Sequence, residues 1–121
     1  MGKILIVDDD MINRKLVIAY LKKNGYTNTL EAENGLETLD KIKSEPIDLI
    51  LLDIVMPKMD GIDVLKTLKK DANYAPYANI PVAILTTDDT KKNEALALGA
   101  CNVLIKPIKE PELKTLLATY L

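Results

Sequence analysis

Apolar and polar positions follow two alternating rhythms along this chain. Short β-branched or continuously apolar runs at residues 3–7, 27–31, Leu49–Leu52, 81–85 and Asn102–Ile105 read as five strands. Between them lie stretches with helical spacing. Met11–Lys23 carries Ile12, Leu16 and Tyr20 on one face, residues 34–43 turn Leu36, Leu39 and Ile42 inward, and Gly61–Lys70 buries Ile62, Leu65 and Leu68. A short helix is predicted at 90–98. A last one covers Glu110–Tyr120, where Leu113, Leu116, Leu117 and Tyr120 recur at i, i+3, i+4 and i+7. Asn24-Gly25, Pro46 and Gly99-Ala100 mark stops, and 71–79 reads as a loop without periodicity. Strand and helix alternating five times with short links predict an α/β fold, a doubly wound parallel sheet of five strands in order 2-1-3-4-5 with five helices on its faces. The span 1–121 is expected to be a single domain, with no effector domain in it.

In such a sheet, ligands bind outside the carboxyl ends of the strands. The unusual polar residues fall there. Asp8 and Asp9 end the first strand, Asp53 the third, Thr86 and Thr87 the fourth, and Lys106 the fifth. Each has an ordinary explanation: an aspartate after a strand is commonly a helix N-cap, a threonine there a turn residue, a lysine beside Pro107 a solvated loop residue. Their joint occurrence at four strand ends is what those explanations leave over. Asp53 is the most demanding, because Leu49–Leu52 before it is apolar on both faces and a carboxylate there needs compensation. Three converging carboxylates repel one another. A hard divalent cation such as Mg²⁺, which takes oxygen ligands from one or two carboxylates plus phosphate, removes the conflict. Lys106 and the Thr86 hydroxyl suit an anion with several oxygens, and a carboxylate can itself attack phosphorus to form an acyl phosphate.

Composition narrows the picture mainly by exclusion. The net charge is −2 with no basic block, so direct nucleic-acid binding is not expected. With no histidine there is no imidazole catalysis and no histidine metal ligand. Cys101 stands alone, which rules out an intrachain disulfide and fits a reducing compartment. Lys3 is followed by only four apolar residues and then three acids, unlike a signal peptide; Ile6 departs from the myristoylation pattern; no apolar run approaches membrane-spanning length. A cytoplasmic location without membrane contact is expected.

Taken in order, Val7-Asp8-Asp9, Leu52-Asp53 with Met56-Pro57 and Asp60-Gly61, Leu85-Thr86, Gly99-Ala100 and Lys106-Pro107 closely resemble the receiver domain of bacterial two-component response regulators, over essentially the whole chain. The resemblance implies a flavodoxin-like, chemotaxis-regulator-like fold and a role for each residue. Asp53 would be the phospho-accepting aspartate. Asp9 would ligate Mg²⁺ directly, Asp8 would act mainly through water, and the main-chain carbonyl of Val55 would complete the protein's share of ligands. Thr86 would turn toward the phosphoryl group and Lys106 pair with it, with a cis bond at Lys106-Pro107. The donor would be a phosphohistidine on a sensor histidine kinase or phosphotransfer protein, or a small acyl phosphate. Output would be binding to a downstream target protein or phosphorelay, from a monomer when unphosphorylated. Such a protein catalyses only its own phosphorylation and dephosphorylation and is not an enzyme in the ordinary sense.

Val103, Thr87 and the 71–79 loop depart from the family pattern. Val103 stands where an aromatic switch residue is common, and valine has no ring to bury. Thr87 follows Thr86 where alanine is more usual. Val55 and Asp88 sit two residues after Asp53 and Thr86, beside the route of a hydrolytic water; Val55 cannot orient one, so slow self-dephosphorylation is expected. The 71–79 loop is longer than usual, with Tyr74 and Tyr77 covering core surface or forming a partner patch. Two other readings compete. A Mg²⁺-dependent phosphohydrolase with an aspartyl-phosphate intermediate would place an aspartate at Val55. A non-phosphorylated interaction module would have lost the site residues, all of which are present here. No P-loop sequence occurs.

Overall fold

The run Leu49–Leu52 forms the middle strand of the sheet, and its four side chains are fully buried. The computed structural model describes residues 2–121. In chain order the elements are β1 (Ile4–Val7), α1 (Met11–Lys23), β2 (Thr29–Ala32), α2 (Gly35–Ser44), β3 (Leu49–Leu52) and α3 (Gly61–Lys70). After a 3₁₀ segment (Ala72–Tyr77) come β4 (Val82–Thr86), a 3₁₀ turn (Asp89–Lys91), α4 (Lys92–Ala97), β5 (Asn102–Ile105) and α5 (Glu110–Tyr120). The strands lie in the order β2-β1-β3-β4-β5, and all pairings are parallel.

Side chains alternate across a strand, so each strand feeds two cores. Ile4, Ile6, Leu49, Leu51, Ala83, Leu85 and Leu104 pack under Val17, Ile18 and Leu21 of α1 and Leu113, Leu116 and Leu117 of α5. Leu5, Val7, Ile50, Leu52, Val82, Ile84 and Val103 pack under α2, α3 and Ala95 of α4. The sheet is therefore covered on both faces, as continuous apolar strands require. Each fully buried leucine or isoleucine contributes roughly 1.5–3 kcal/mol relative to exposure. The middle strand is thus a firm base for whatever follows it.

Three helices begin at side-chain caps: Asp10 accepts from the Ile12 amide, Asn34 from Glu37 and Asp60 from Asp63, each at 2.9 Å. Several expectations need correction. In α1, Ile12 and Leu16 do not face the core, being 73% and 56% exposed; Tyr20 is half-buried against it, and Val17, Ile18 and Leu21 are buried. The helix is apolar around most of its circumference, so spacing alone allowed either face. In α2, Leu36 is 53% exposed, and Thr38 is buried with its hydroxyl donating to the Asn34 carbonyl at 2.8 Å. Tyr120 is exposed near the end of α5. β2 starts at Thr29, two residues later than predicted, and the 90–98 helix divides into the 3₁₀ turn and the short α4. The 71–79 loop is ordered by Asp71, whose carboxylate accepts from the Asn73 amide at 2.8 Å. Tyr74 and Tyr77 pack against the core, and Lys43 sits over the Tyr74 ring at 4.5 Å from its centroid.

Candidate functional site

β1 and β3 run side by side, with Val7 opposite Leu52. The Asp53 amide extends that ladder by donating to the Val7 carbonyl at 3.0 Å, and the Asp8 amide donates to Ala32 of β2 at 3.2 Å. The residues that follow two apolar strands are thereby delivered to one edge. Asp8 and Asp53 are both buried, and Asp9 is exposed. One carboxylate oxygen from each of Asp8, Asp9 and Asp53 lies within 4.8 Å of the others.

From the far side β5 brings Lys106. Its Nζ donates to Asp8 Oδ2 at 2.7 Å and to Asp53 Oδ2 at 3.2 Å. The ammonium thus bridges two buried carboxylates, and buried charges are tolerated only when so paired. Burial raises the Asp53 pKa above the ordinary carboxylate range, opposed by the Lys106 charge and reinforced by Asp8. Burial alone would lower the Lys106 pKa. The hydrogen bond that Lys106 donates to Asp8 and the charge of Asp53 outweigh it and hold Lys106 above its usual value. The Lys106 amide donates to the Thr86 carbonyl at 2.7 Å, which ties the end of β5 to β4, and the Lys106-Pro107 bond is cis.

The β3–α3 connection is shaped around Asp53. The Gly61 amide donates to the Ile54 carbonyl at 2.8 Å, and a Cβ at Gly61 would run into the main-chain oxygen of Asp53. Only glycine permits that approach. Lys58 adopts a left-handed backbone with φ 69°, and the Met59 amide donates to Pro57 at 2.8 Å. Val55, on this loop, is 62% exposed beside the acidic cluster.

The Thr86 side chain makes no hydrogen bond to the carboxylates. It is fully buried, and its hydroxyl accepts from the Asp88 amide at 3.1 Å. Asp88 in turn caps the 3₁₀ turn by accepting from the Thr90 amide at 3.0 Å. Thr87 is exposed, and with Leu16, Tyr20, Lys106, Pro107 and Ile108 it lines a groove of about 360 Å³ between α1 and the β5–α5 connection. Val103 is buried opposite Ile84 in the α2–α4 core. The structure therefore brings Asp8, Asp9, Asp53 and Lys106 together, while the Thr86 hydroxyl is engaged by the Asp88 amide and Val103 lies in the core.

Sequence reasoning passed over Arg14. Its side chain is only 12% exposed, with Nη1 donating to the Asp8 carbonyl at 2.6 Å and Nε to Glu31 Oε1 at 3.0 Å. Lys15 donates to the other Glu31 oxygen at 2.7 Å, and this bond foremost holds the Glu31 carboxyl below its ordinary value.

Three oxygen donors on one edge are the chemistry of a hard-cation site, and a cationic group already sits between two of them in Lys106. Comparison with known proteins points the same way. The profile of the response regulator receiver domain matches residues 4–118. The chain is 39% identical over 115 residues to a transcriptional regulatory protein, the CpxR homologue of Haemophilus influenzae, covering 93% of this chain and 47% of that protein. It resembles the solved structure of the chemotaxis protein CheY4 of Vibrio cholerae, at 33% identity and a TM-score of 0.84 over 100% of this chain and 99% of that one. It also resembles the response regulator protein TrrA of Thermotoga maritima, solved in complex with Mg²⁺-BeF, at 30% identity and a TM-score of 0.87 over all of both chains. Among three curated relatives the chain spans 10%, 47% and 26% of their lengths. No helix among the described residues is long and apolar enough to cross a membrane.

Proposed function

This chain belongs to the response regulator receiver domain family of two-component signalling, and from that premise we propose that it accepts a phosphoryl group on Asp53 from a partner's phosphohistidine in a Mg²⁺-dependent step. The observation that carries the reading is the convergence of the Asp8, Asp9 and Asp53 carboxylates with the Lys106 ammonium at one sheet edge. Receiver domains are signalling modules rather than enzymes of the ordinary kind. The donor must come from elsewhere, since this chain has no histidine.

In this reading a carboxylate oxygen of Asp53 attacks phosphorus, the P–N bond to the donor imidazole breaks with its electron pair going to nitrogen, and an acyl phosphate forms. Asp9, Asp53 and the Val55 carbonyl, with Asp8 mainly through water, are the groups that would hold Mg²⁺, which when bound supplies neutralisation of charge on the transferring oxygens. Lys106 is already placed to pair with the new anion, at the cost of loosening its hold on Asp8. The unphosphorylated pair Lys106–Asp53 keeps the acceptor oriented along the end of β3. The exposed apolar side chains of Ile12, Leu16 and Val55 offer a dry contact for the donor protein. Val55 leaves a hydrolytic water without an orienting group, which favours a long-lived phosphoryl group.

Signal output follows from Thr86. Turning toward a phosphoryl oxygen would draw its hydroxyl away from the Asp88 amide. That bond anchors the 3₁₀ turn leading into α4, so the β4–α4 segment shifts without any aromatic rotamer change at Val103. The altered surface around β4 and β5 would be read by a target protein or used in a relay. The test is intact-mass measurement after incubation with a small acyl phosphate. Wild type with Mg²⁺ should gain one phosphoryl group, and Asp53→Asn, or wild type with chelator, should gain none. A gain of equal extent in Asp53→Asn refutes the assignment.

A further inference from the structure

The Asp9 carboxylate has no hydrogen-bond or ion-pair partner among the described residues. Its position depends on the backbone of the β1–α1 turn. Two contacts within the turn shape it: the Asp10 amide on Asp8 Oδ1 at 2.9 Å and the Ile12 amide on Asp10 Oδ1 at 2.9 Å. A third comes from a charged side chain. Arg14 donates to the Asp8 carbonyl at 2.6 Å, and that carbonyl belongs to the peptide joining Asp8 to Asp9. The guanidinium thus fixes the plane between the two acidic residues. It is itself fixed by Glu31 on β2 at 3.0 Å, and Glu31 sits opposite Ile6, two residues before Asp8. A charge-assisted bond from a part-buried guanidinium orients a peptide more firmly than an exposed contact would. Its charge is offset by Glu31, so it adds little repulsion toward a cation.

We infer that Arg14, braced by Glu31, is a positioning residue that presets the Asp8–Asp9 carboxylates for Mg²⁺. The inference rests on the Mg²⁺ reading above and goes beyond it by assigning residues outside the acidic cluster. Groups behind metal ligands typically change metal affinity by about 10–100-fold when removed. The test uses calorimetric Mg²⁺ titration together with amide hydrogen exchange at Asp10 in metal-free protein. Wild type, Arg14→Met, Arg14→Lys and Glu31→Gln are compared, each first checked for cooperative thermal unfolding in chelator. Expected are about tenfold weaker Mg²⁺ binding and faster Asp10 exchange in Arg14→Met, partial recovery in Arg14→Lys, and a smaller loss in Glu31→Gln. Tighter Mg²⁺ binding in Arg14→Met with weaker binding in Glu31→Gln would show a charge effect only and overturn positioning. Unchanged affinity and exchange with a lower unfolding temperature would reduce Arg14 to a structural role. A wild type without any Mg²⁺ response would overturn the metal reading and this inference with it.

Discussion

The two halves of the site edge are built differently. On the β1–β3 side, the Asp8 and Asp53 carboxylates are buried and paired with Lys106, the Asp8 carbonyl is held by Arg14, and Gly61 packs against the Asp53 backbone. On the β4–α4 side, Thr86 holds a 3₁₀ turn through one neutral hydrogen bond, and α4 is six residues long with no side-chain cap. Many charged contacts with fixed geometry suit a region that must hold and stabilise charge. A short helix without a side-chain cap, following a turn that meets the end of β4 through one neutral side-chain hydrogen bond, suits a region that moves. Under the proposed phosphoryl-acceptor reading, the acceptor is preorganised and the reporter is not.

Removing Lys106 should break the first half most. Lys106→Met leaves Asp8 and Asp53 buried together without their cation, and a loss of about 3 kcal/mol is expected from chemical unfolding at pH 7, partly restored by Mg²⁺. Next, Gly61→Ala forces a methyl against the Asp53 carbonyl; backbone cannot yield as a flexible side chain would, so about 1–3 kcal/mol should be lost in the same assay. By contrast, Thr86→Val on the second half should cost only about 1 kcal/mol, since it removes one neutral acceptor while keeping shape. Equal losses from Thr86→Val and Lys106→Met would erase the contrast. The smallest expected effect has the opposite sign. The Asp53 pKa is raised in the folded protein, so the folded state binds this proton more tightly than the unfolded chain. Stability therefore falls as pH rises from the unfolded value through the raised one, and the penalty is fully present above it. Without Mg²⁺, Asp53→Asn should thus be slightly more stable than wild type at pH 7, and thermal unfolding should show the gain vanishing in acid.

Much of the first half was legible in the sequence. Leu49–Leu52 is apolar at every position, which fits only a strand covered on both faces, and an aspartate after it has one place to go. Asp8 and Lys106 are legible for the same reason, since strand ends of a parallel sheet share an edge. Arg14 was not, because its role depends on Glu31 arriving from β2, and nothing local to α1 signals that pairing. The inward face of α1 was misjudged because exposed Ile12 and Leu16 are as apolar as buried Val17 and Leu21. The second half was legible only as residue types. That the Thr86 hydroxyl is bonded to the Asp88 amide depends on the turn that Asp88 and Thr90 build after β4.

The contrast between a held acceptor and a released reporter is tested most directly by residue-resolved amide hydrogen exchange, with and without acyl phosphate and Mg²⁺. The account predicts that phosphorylation deprotects the Asp88 amide, now bonded to Thr86, while the Asp10 amide, bonded to Asp8, keeps its protection. An Asp88 amide that stays equally protected in protein shown by mass to be phosphorylated would contradict it.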